Sequence, residues 1–330
     1  MKKIFALLLS AALLVTLLAA CGGGNTTDTD TDTQEPAADA STTQVEEQEP
    51  DTGDASKDDP LNQDEIGEKE LLVVSFGTSY NDSRHETIGA IEKAMQTAFP
   101  DYSVRRAFTS QIIIDHVKDR DGVTIDNVEQ ALERAVNNGV KTLVVQPTHL
   151  MNGLEYEELT DELAKYSDSF EKIAIGDPLL TSDADFEAVM TAITDATKDA
   201  ADGKTAICFM GHGTTADSNS VYSKMQTLLT DKGFNDYYVG TVEATPSLDD
   251  VLAAVQKGSY EKVILRPLMI VAGDHANNDM AGDEDDSWKS TFEKAGYTVD
   301  CQVEGLGQLE AIQQLFVEHA KAAVASAEAE

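Results

Sequence analysis

Cysteine, basic residues and tryptophan are all scarce in this chain of 330 residues. There are three cysteines, Cys21, Cys208 and Cys301, and one tryptophan. Beyond Cys21, two isolated cysteines in apolar segments make neither a disulfide framework nor a zinc cluster. Buried free thiols are the expectation, with one disulfide left open for an exported protein. Lysine and arginine total 24 against 60 aspartates and glutamates, a net charge of −36. That excess argues against nucleic acid and anionic membrane surfaces as partners. No Walker-type or dinucleotide-type glycine loop is present, which argues against a nucleotide cofactor. No Gly-x-Ser-x-Gly elbow appears, which argues against serine hydrolysis. The one long apolar run, Ile4 to Leu18, is short for a membrane span.

What is present divides into three materials. Residues 1–21 read as an export signal: Lys2 and Lys3, the apolar run, then Leu18-Ala19-Ala20-Cys21. The last four residues match the bacterial lipobox, which implies cleavage before Cys21 and lipidation of its thiol. The protein is then expected outside the cytoplasmic membrane, held on its outer face by lipid or periplasmic, with no other membrane contact. Residues 22–69 are rich in Gly, Thr, Asp, Glu and Pro and have almost no large apolar side chain. Such a stretch buries too little apolar surface to offset its ordering entropy, so an acidic, disordered tether is expected there. The remaining 260 or so residues form the working body.

In that body short β-branched runs alternate with helical patterns. Strands are expected at Glu70–Phe76, Ser103–Phe108, Thr142–Gln146, Lys172–Ile175, Thr205–Met210, Asp236–Thr241, Lys262–Arg266 and Tyr297–Val303. Six helices are expected between them, and a final one near Gln308 to Ala327 is expected to close the second half. This alternation predicts an α/β fold with parallel sheets. The halves also match each other. Phe76 and Gly77 fall on His212 and Gly213, Pro147 on Pro267, Gly153 on Gly273, and Glu155 on His275. Internal duplication predicts two similar Rossmann-like lobes, residues 70–202 and 203–330, facing each other across a ligand cleft. A homo-oligomer is left open.

Two histidines carry most of the chemistry. His212, in Met210-Gly-His-Gly-Thr214, and His275, in Ala272-Gly-Asp-His275, each follow an apolar strand. Ligands of open α/β sheets bind outside the carboxyl ends of the strands, and imidazole serves there as metal ligand or base. Glu243, after another strand, completes a His₂Glu set suited to a divalent first-row metal. Asp274 and Asp279 are candidates to orient His275. Glu155 opens a helix where the dipole alone favours a carboxylate, and its alignment with His275 also points it to the cleft. Phe76, Gly77, Thr78, His149 and Gly213 are candidates to line the cleft. His85, His116 and His319 read as surface residues, and the run from Asp283 to Asp286 as a solvated one.

At this point the residues resemble a known family. Leu71-Leu-Val-Val-Ser-Phe-Gly-Thr-Ser79, Arg106-Ala-Phe-Thr-Ser110, Phe209-Met-Gly-His-Gly213 and Pro267-Leu-Met-Ile-Val-Ala-Gly-Asp-His-Ala-Asn-Asn-Asp-Met280 are similar to segments of the anaerobic sirohydrochlorin cobaltochelatases, which are class II tetrapyrrole chelatases. Gly-Asp-His-Ala-x-Asn-Asp-Met followed by Asp-Ser-Trp288 is the specific part. The resemblance implies two α/β lobes with a tetrapyrrole between them and Co²⁺ insertion into sirohydrochlorin without a nucleotide. It also implies metal ligation by His212, Glu243 and His275, with His212 as base and Glu155 as a further acidic group of the cleft. Fe²⁺ or Ni²⁺ would also suit the ligands. Arg105, Arg106 and Arg266 are candidates to receive the substrate's carboxylates, with a structural role left open for Arg266. The family includes cytoplasmic enzymes, so the export signal is a departure. It supports a competing reading, an exported lipoprotein that captures tetrapyrrole or metal for uptake.

Overall fold

The computed structural model describes residues 51–329. The export signal, Cys21 and the tether as far as residue 50 lie outside the described residues. In chain order the first half contains β1 (Lys69–Ser75), α1 (Asn81–Arg84), α2 (Ala90–Ala98), β2 (Ser103–Phe108), α3 (Gln111–Asp121), α4 (Val128–Asn137), β3 (Thr142–Pro147), α5 (Leu154–Ala164), β4 (Lys172–Ile175) and α6 (Asp183–Thr197). The second contains β5 (Thr205–Gly211), α7 (Ser220–Asp231), β6 (Tyr237–Thr241), α8 (Leu248–Val255), β7 (Lys262–Pro267), α9 (Trp288–Lys294), β8 (Thr298–Cys301) and α10 (Glu310–Ala329). π-helical turns occupy His85–Gly89, between α1 and α2, and Ala276–Met280, before α9. The strands fall where the sequence predicts them. Helices α3 and α9 were not anticipated.

Two four-stranded parallel sheets result, ordered β2-β1-β3-β4 and β6-β5-β7-β8. Helices cover both faces of each sheet, so β5 and all of β1 after Lys69 are buried, and their centres, Leu71–Val74 and Ala206–Met210, read as continuous apolar runs. The registers confirm the duplication. Val74 pairs with Pro147 as Met210 pairs with Pro267. Three residues on, Gly77 and Gly213 both turn with positive φ, 101° and 89°, a conformation that favours glycine.

The faces of the sheets sort into cores. Leu72, Val74, Leu143 and Val145 face α4 and α5 in one. Ala206, Cys208, Met210 and Leu265 face α8 and α9 in another, where Trp288 is buried. The remaining faces merge into a single core spanning both lobes, from Leu71, Val73 and Val144 to Ile207, Phe209 and Tyr237. Two exchanged helices fill it, and both depart from the expected lobe boundaries. Helix α6 precedes β5 and packs beside α7, with Thr197 Oγ1 2.9 Å from the Tyr237 hydroxyl. Helix α10 does not close the second half. It returns to lie on β3, β4 and α2 of the first sheet, where Lys172 Nζ donates to Ala327 O at 2.8 Å. His319 on α10 is likewise not a free surface residue: it pairs with Asp185 at the start of α6 at 3.1 Å.

The expected tether ends earlier than residue 69. Leu61 is buried in the shared core, and the Asp58 side chain is sealed between two arginines. Composition alone misplaced this boundary, because the segment's carboxylates find buried guanidinium partners far away in sequence. Among the described residues no helix is long and apolar enough to cross a membrane.

Candidate metal centre

The strand ends bring together the three expected ligands. His212 follows β5, Glu243 follows β6, and His275 follows β7, the three neighbours β6-β5-β7 of the second sheet. One ligand atom from each lies within 4.8 Å of the others. The imidazoles of His212 and His275 meet nearly edge to face, with centroids 4.6 Å apart. His212 Nε2 is 3.9 Å from Glu243 Oε2. The His212 and Glu243 side chains are about half exposed and that of His275 is 34% exposed, so the site opens to solvent on one side.

Backbone pairing holds this arrangement. Beyond β5 and β6 the ladder continues: Val242 N donates to Gly211 O at 3.0 Å and Glu243 N to His212 O at 2.9 Å. The two ligand loops therefore touch, and Gly213 makes that approach fit. A Cβ there would stand 2.9 Å from both Ala244 Cβ and Ala244 N. Tyr222 lies under the loop, its hydroxyl accepting from Gly213 N at 3.3 Å. Its ring fills the space that a side chain at Gly211 would need. Sequence reading passed over Tyr222, because a tyrosine inside a helix pattern reads only as core.

Each imidazole has one nitrogen committed. His275 Nδ1 is 2.8 Å from Asp279 Oδ2, one helical turn away across the π-turn. Asp279 is thus the orienting partner, while Asp274 instead accepts from Asn278. His212 Nδ1 is 2.8 Å from Gly213 O. In the tautomer these contacts select, both Nδ1 atoms carry the proton and both Nε2 atoms present lone pairs. Two neutral imidazoles and a carboxylate in an open site make a donor set for a divalent first-row metal with vacant positions.

The first lobe faces this trio through its own strand-end loops. Thr78 Oγ1 lies 3.1 Å from where a Cβ on Gly273 would be. Ala272 N donates across the lobes to Ser83 Oγ at 2.9 Å. In the equivalent position of the repeat, Ser218 Oγ lies 3.5 Å from where a Cβ on Gly153 would be. Phe76 is exposed at the cleft edge, and Gly77 turns tightly over the Phe108 ring. Glu155 is exposed in the first turn of α5, with its carboxylate beside Gly153. His149 is different. Both its ring nitrogens are sealed from solvent and make no hydrogen bond. Burial pushes its pKa down to about 4, with the Glu155 carboxylate pulling the other way.

The three candidate arginines for the substrate carboxylates do not face the cleft. Arg105 is buried against Glu70 and Asp126, Arg106 against Asp58 and Glu92, and Arg266 against Gln302 and Glu304. Each lies inside a strand of a sheet covered on both faces, so its charge is matched internally. Cys208 and Cys301 are free thiols, and burial raises the pKa of each, that of Cys301 to about 11. In the acidic run, Asp283 and Asp285 pair with Lys289 and Lys294 at the surface.

Comparison with known proteins places the chain in a family. Residues 69–325 match the model of the cobalt chelatase (CbiK) family. The sirohydrochlorin cobaltochelatase of Salmonella typhimurium is 38% identical over 251 residues, 76% of this chain and 94% of that protein. The sirohydrochlorin cobaltochelatase CbiKC of Nitratidesulfovibrio vulgaris is 30% identical over 260 residues, 78% of this chain and 91% of its own length. Among solved structures, SirB from Bacillus subtilis with Fe³⁺ superposes with a TM-score of 0.57 at 14% identity, covering 80% of this chain and 98% of that one. That likeness bears on the fold, two parallel α/β lobes. With the family match spanning residues 69–325, nearly all of the folded body, the chain belongs to the cobalt chelatase (CbiK) family.

Proposed function

We propose that this protein is a sirohydrochlorin cobaltochelatase, an enzyme that inserts Co²⁺ into sirohydrochlorin without a nucleotide and releases two protons. The observation that carries the reading is the convergence of His212, Glu243 and His275 within 4.8 Å, at a sheet edge that faces the other lobe. The relatives named as sirohydrochlorin cobaltochelatases supply the metal and the tetrapyrrole.

Co²⁺ is here a substrate, and the donor set suits transient binding. The two Nε2 atoms and the Glu243 carboxylate hold it on an open side, so the macrocycle nitrogens can replace protein ligands in turn. Two pyrrole N–H protons must leave as the ion enters. A base assists most when its pKa lies near ambient pH, and imidazole does. His212 is the base in this account: once the ion moves to the ring, its freed Nε2 takes a proton. Glu155, presented by the opposing lobe, is the second acceptor. Phe76, exposed beside the tight turn at Gly77, is the side chain offered to the macrocycle, with Gly213 leaving it room, while Thr78 and His149 support the loops from within. The ligand set does not by itself favour cobalt over iron or nickel, so Fe²⁺ and Ni²⁺ belong among the metals to be tried.

Export belongs to the proposal as well. Lys2, Lys3, the apolar run and the lipobox ending at Cys21 support a lipid-anchored protein outside the cytoplasmic membrane. That placement favours the second reading, a surface protein that captures tetrapyrrole or metal and inserts nothing. Anaerobic mixing with sirohydrochlorin and Co²⁺, followed by absorbance against the uncatalysed rate, separates the two. A chelatase accelerates insertion. A capture protein binds the tetrapyrrole and leaves the rate unchanged with Co²⁺, Fe²⁺ and Ni²⁺.

A further inference from the structure

The family match begins at residue 69, yet the chain is already packed from Thr52 to Leu61. This segment runs from the start of α1 to the outer edge of β2. Thr52 O accepts from Asp82 N at 3.0 Å, and Gly53 O accepts from Asn81 Nδ2 at 3.3 Å. Arg106 N donates to Leu61 O at 3.1 Å. Between these points the Asp58 side chain, 2% exposed, takes a bidentate pair from Arg106 at 2.7 and 2.9 Å and one bond from Arg84 Nε at 2.6 Å. Burial opposes the charge on Asp58, but the two guanidinium groups outweigh it and hold its pKa below the usual value.

Arg84 carries the consequence. Its side chain is fully buried, and Asp58 is its carboxylate partner. Its other nitrogens donate to Thr78 O at 3.1 Å and to Asn81 Oδ1 at 2.5 Å. Thr78 abuts Gly273, and Ser83, the residue before Arg84, receives Ala272 N from the other lobe. One arginine thus joins the leading segment to the loop that faces the His275 loop. Arg106 has Glu92 as a second carboxylate and would keep a partner without Asp58.

We infer that residues 52–61 form a strap that sets the first-lobe rim of the cleft, with Asp58 as a positioning residue acting through Arg84 on Thr78 and Asn81. The strap lies outside the matched family residues, so it is an added control on the cleft at the point where the chain's leader joins the body. The inference rests on the chelatase reading only in taking the cleft as the tetrapyrrole site.

The test uses the full chain with Asp58→Asn and Asp58→Glu. Sirohydrochlorin alone is titrated by absorbance, Co²⁺ alone by calorimetry, and turnover is resolved into kcat and KM. The expected result for Asp58→Asn is a weakening of sirohydrochlorin affinity by about tenfold or more, as for a misplaced binding loop. KM for sirohydrochlorin rises in parallel, Co²⁺ affinity is retained, and Asp58→Glu recovers part of the loss. Unchanged sirohydrochlorin affinity, with only a lower melting temperature or a smaller active fraction, overturns the proposal. If Asp58→Asn fails to fold, Leu61→Ala loosens the strap without stranding a charge; it must weaken sirohydrochlorin binding while sparing Co²⁺, and the opposite overturns the strap. The sirohydrochlorin titration stands even if the wild type proves not to turn over, so the two ideas fail separately.

Discussion

The Asp279 carboxylate decides which nitrogen of His275 faces the cleft. Losing such an orienting partner typically costs ten- to a hundredfold in metal affinity. Asp279→Asn should therefore weaken Co²⁺ binding by about tenfold or more, read by calorimetric titration, with little change in melting temperature; undiminished affinity would remove Asp279 from the site. Two other residues leave a mark on pH stability. His149 has its pKa lowered to about 4 by burial, so it favours the unfolded state on protonation, and its stability contribution is lost as pH falls from about 6.5 to about 4. Glu70 has its pKa raised to about 7, burial outweighing Arg105, so its contribution is present below about 4.5 and is lost as pH rises to about 7. The slopes oppose each other in one window and largely cancel. In His149→Gln the melting temperature should fall from pH 5 to pH 7, and in Glu70→Gln it should rise. Slopes of the reverse sign would contradict these assignments. Neither group announced its burial in the sequence, since a lone histidine near a strand end and an acidic residue opening a strand are ordinary surface features. The paired settings of His212 and His275 were legible, because glycine after an apolar run marks a strand end by local pattern alone.

Elements position what residues perform. The β5 and β6 loops that carry His212 and Glu243 are stitched by backbone bonds and meet where Gly213 has no side chain. Gly213→Ala would force a left-handed φ on alanine and press its Cβ onto Ala244. Strain of this kind costs on the order of 1–3 kcal/mol, and the chain can relieve it by parting the loops. The variant should stay folded and lose Co²⁺ affinity; tight binding with unchanged stoichiometry would show that the loops move independently. The strands were legible because burial on both faces demands unbroken β-branched and apolar runs, as in Leu71–Val74 and Ile207–Met210. Helix α3 was not, since Ile112-Ile-Ile114 has no helical period and Ile112 points to solvent. Arginines inside strands misled for a physical reason: a charge in a strand reads as an exposed edge unless its partner is known, and Asp58 lies 48 residues before Arg106.

At the scale of the molecule the exchanged helices make one body of two lobes. Local periodicity shows that α6 and α10 have an apolar face but not which sheet receives it, so the sequence placed each in its own half. Because the core from Leu71 to Phe316 is continuous across both sheets, neither lobe keeps both faces of its sheet covered when separated. Residues 51–329 should therefore unfold in one calorimetric transition with equal van't Hoff and calorimetric enthalpies; two resolved transitions would mean independent lobes. A joined body also fixes the distance between the ligand trio of one lobe and the facing loops of the other, which insertion into a rigid macrocycle requires. The most direct measurement is anaerobic insertion of Co²⁺ into sirohydrochlorin by wild type, His212→Ala and His275→Ala. The account expects acceleration by the wild type, lost in both variants at unchanged melting temperature. Acceleration that survives in both would contradict it, because the His212–Glu243–His275 site would then not be where the metal enters the ring.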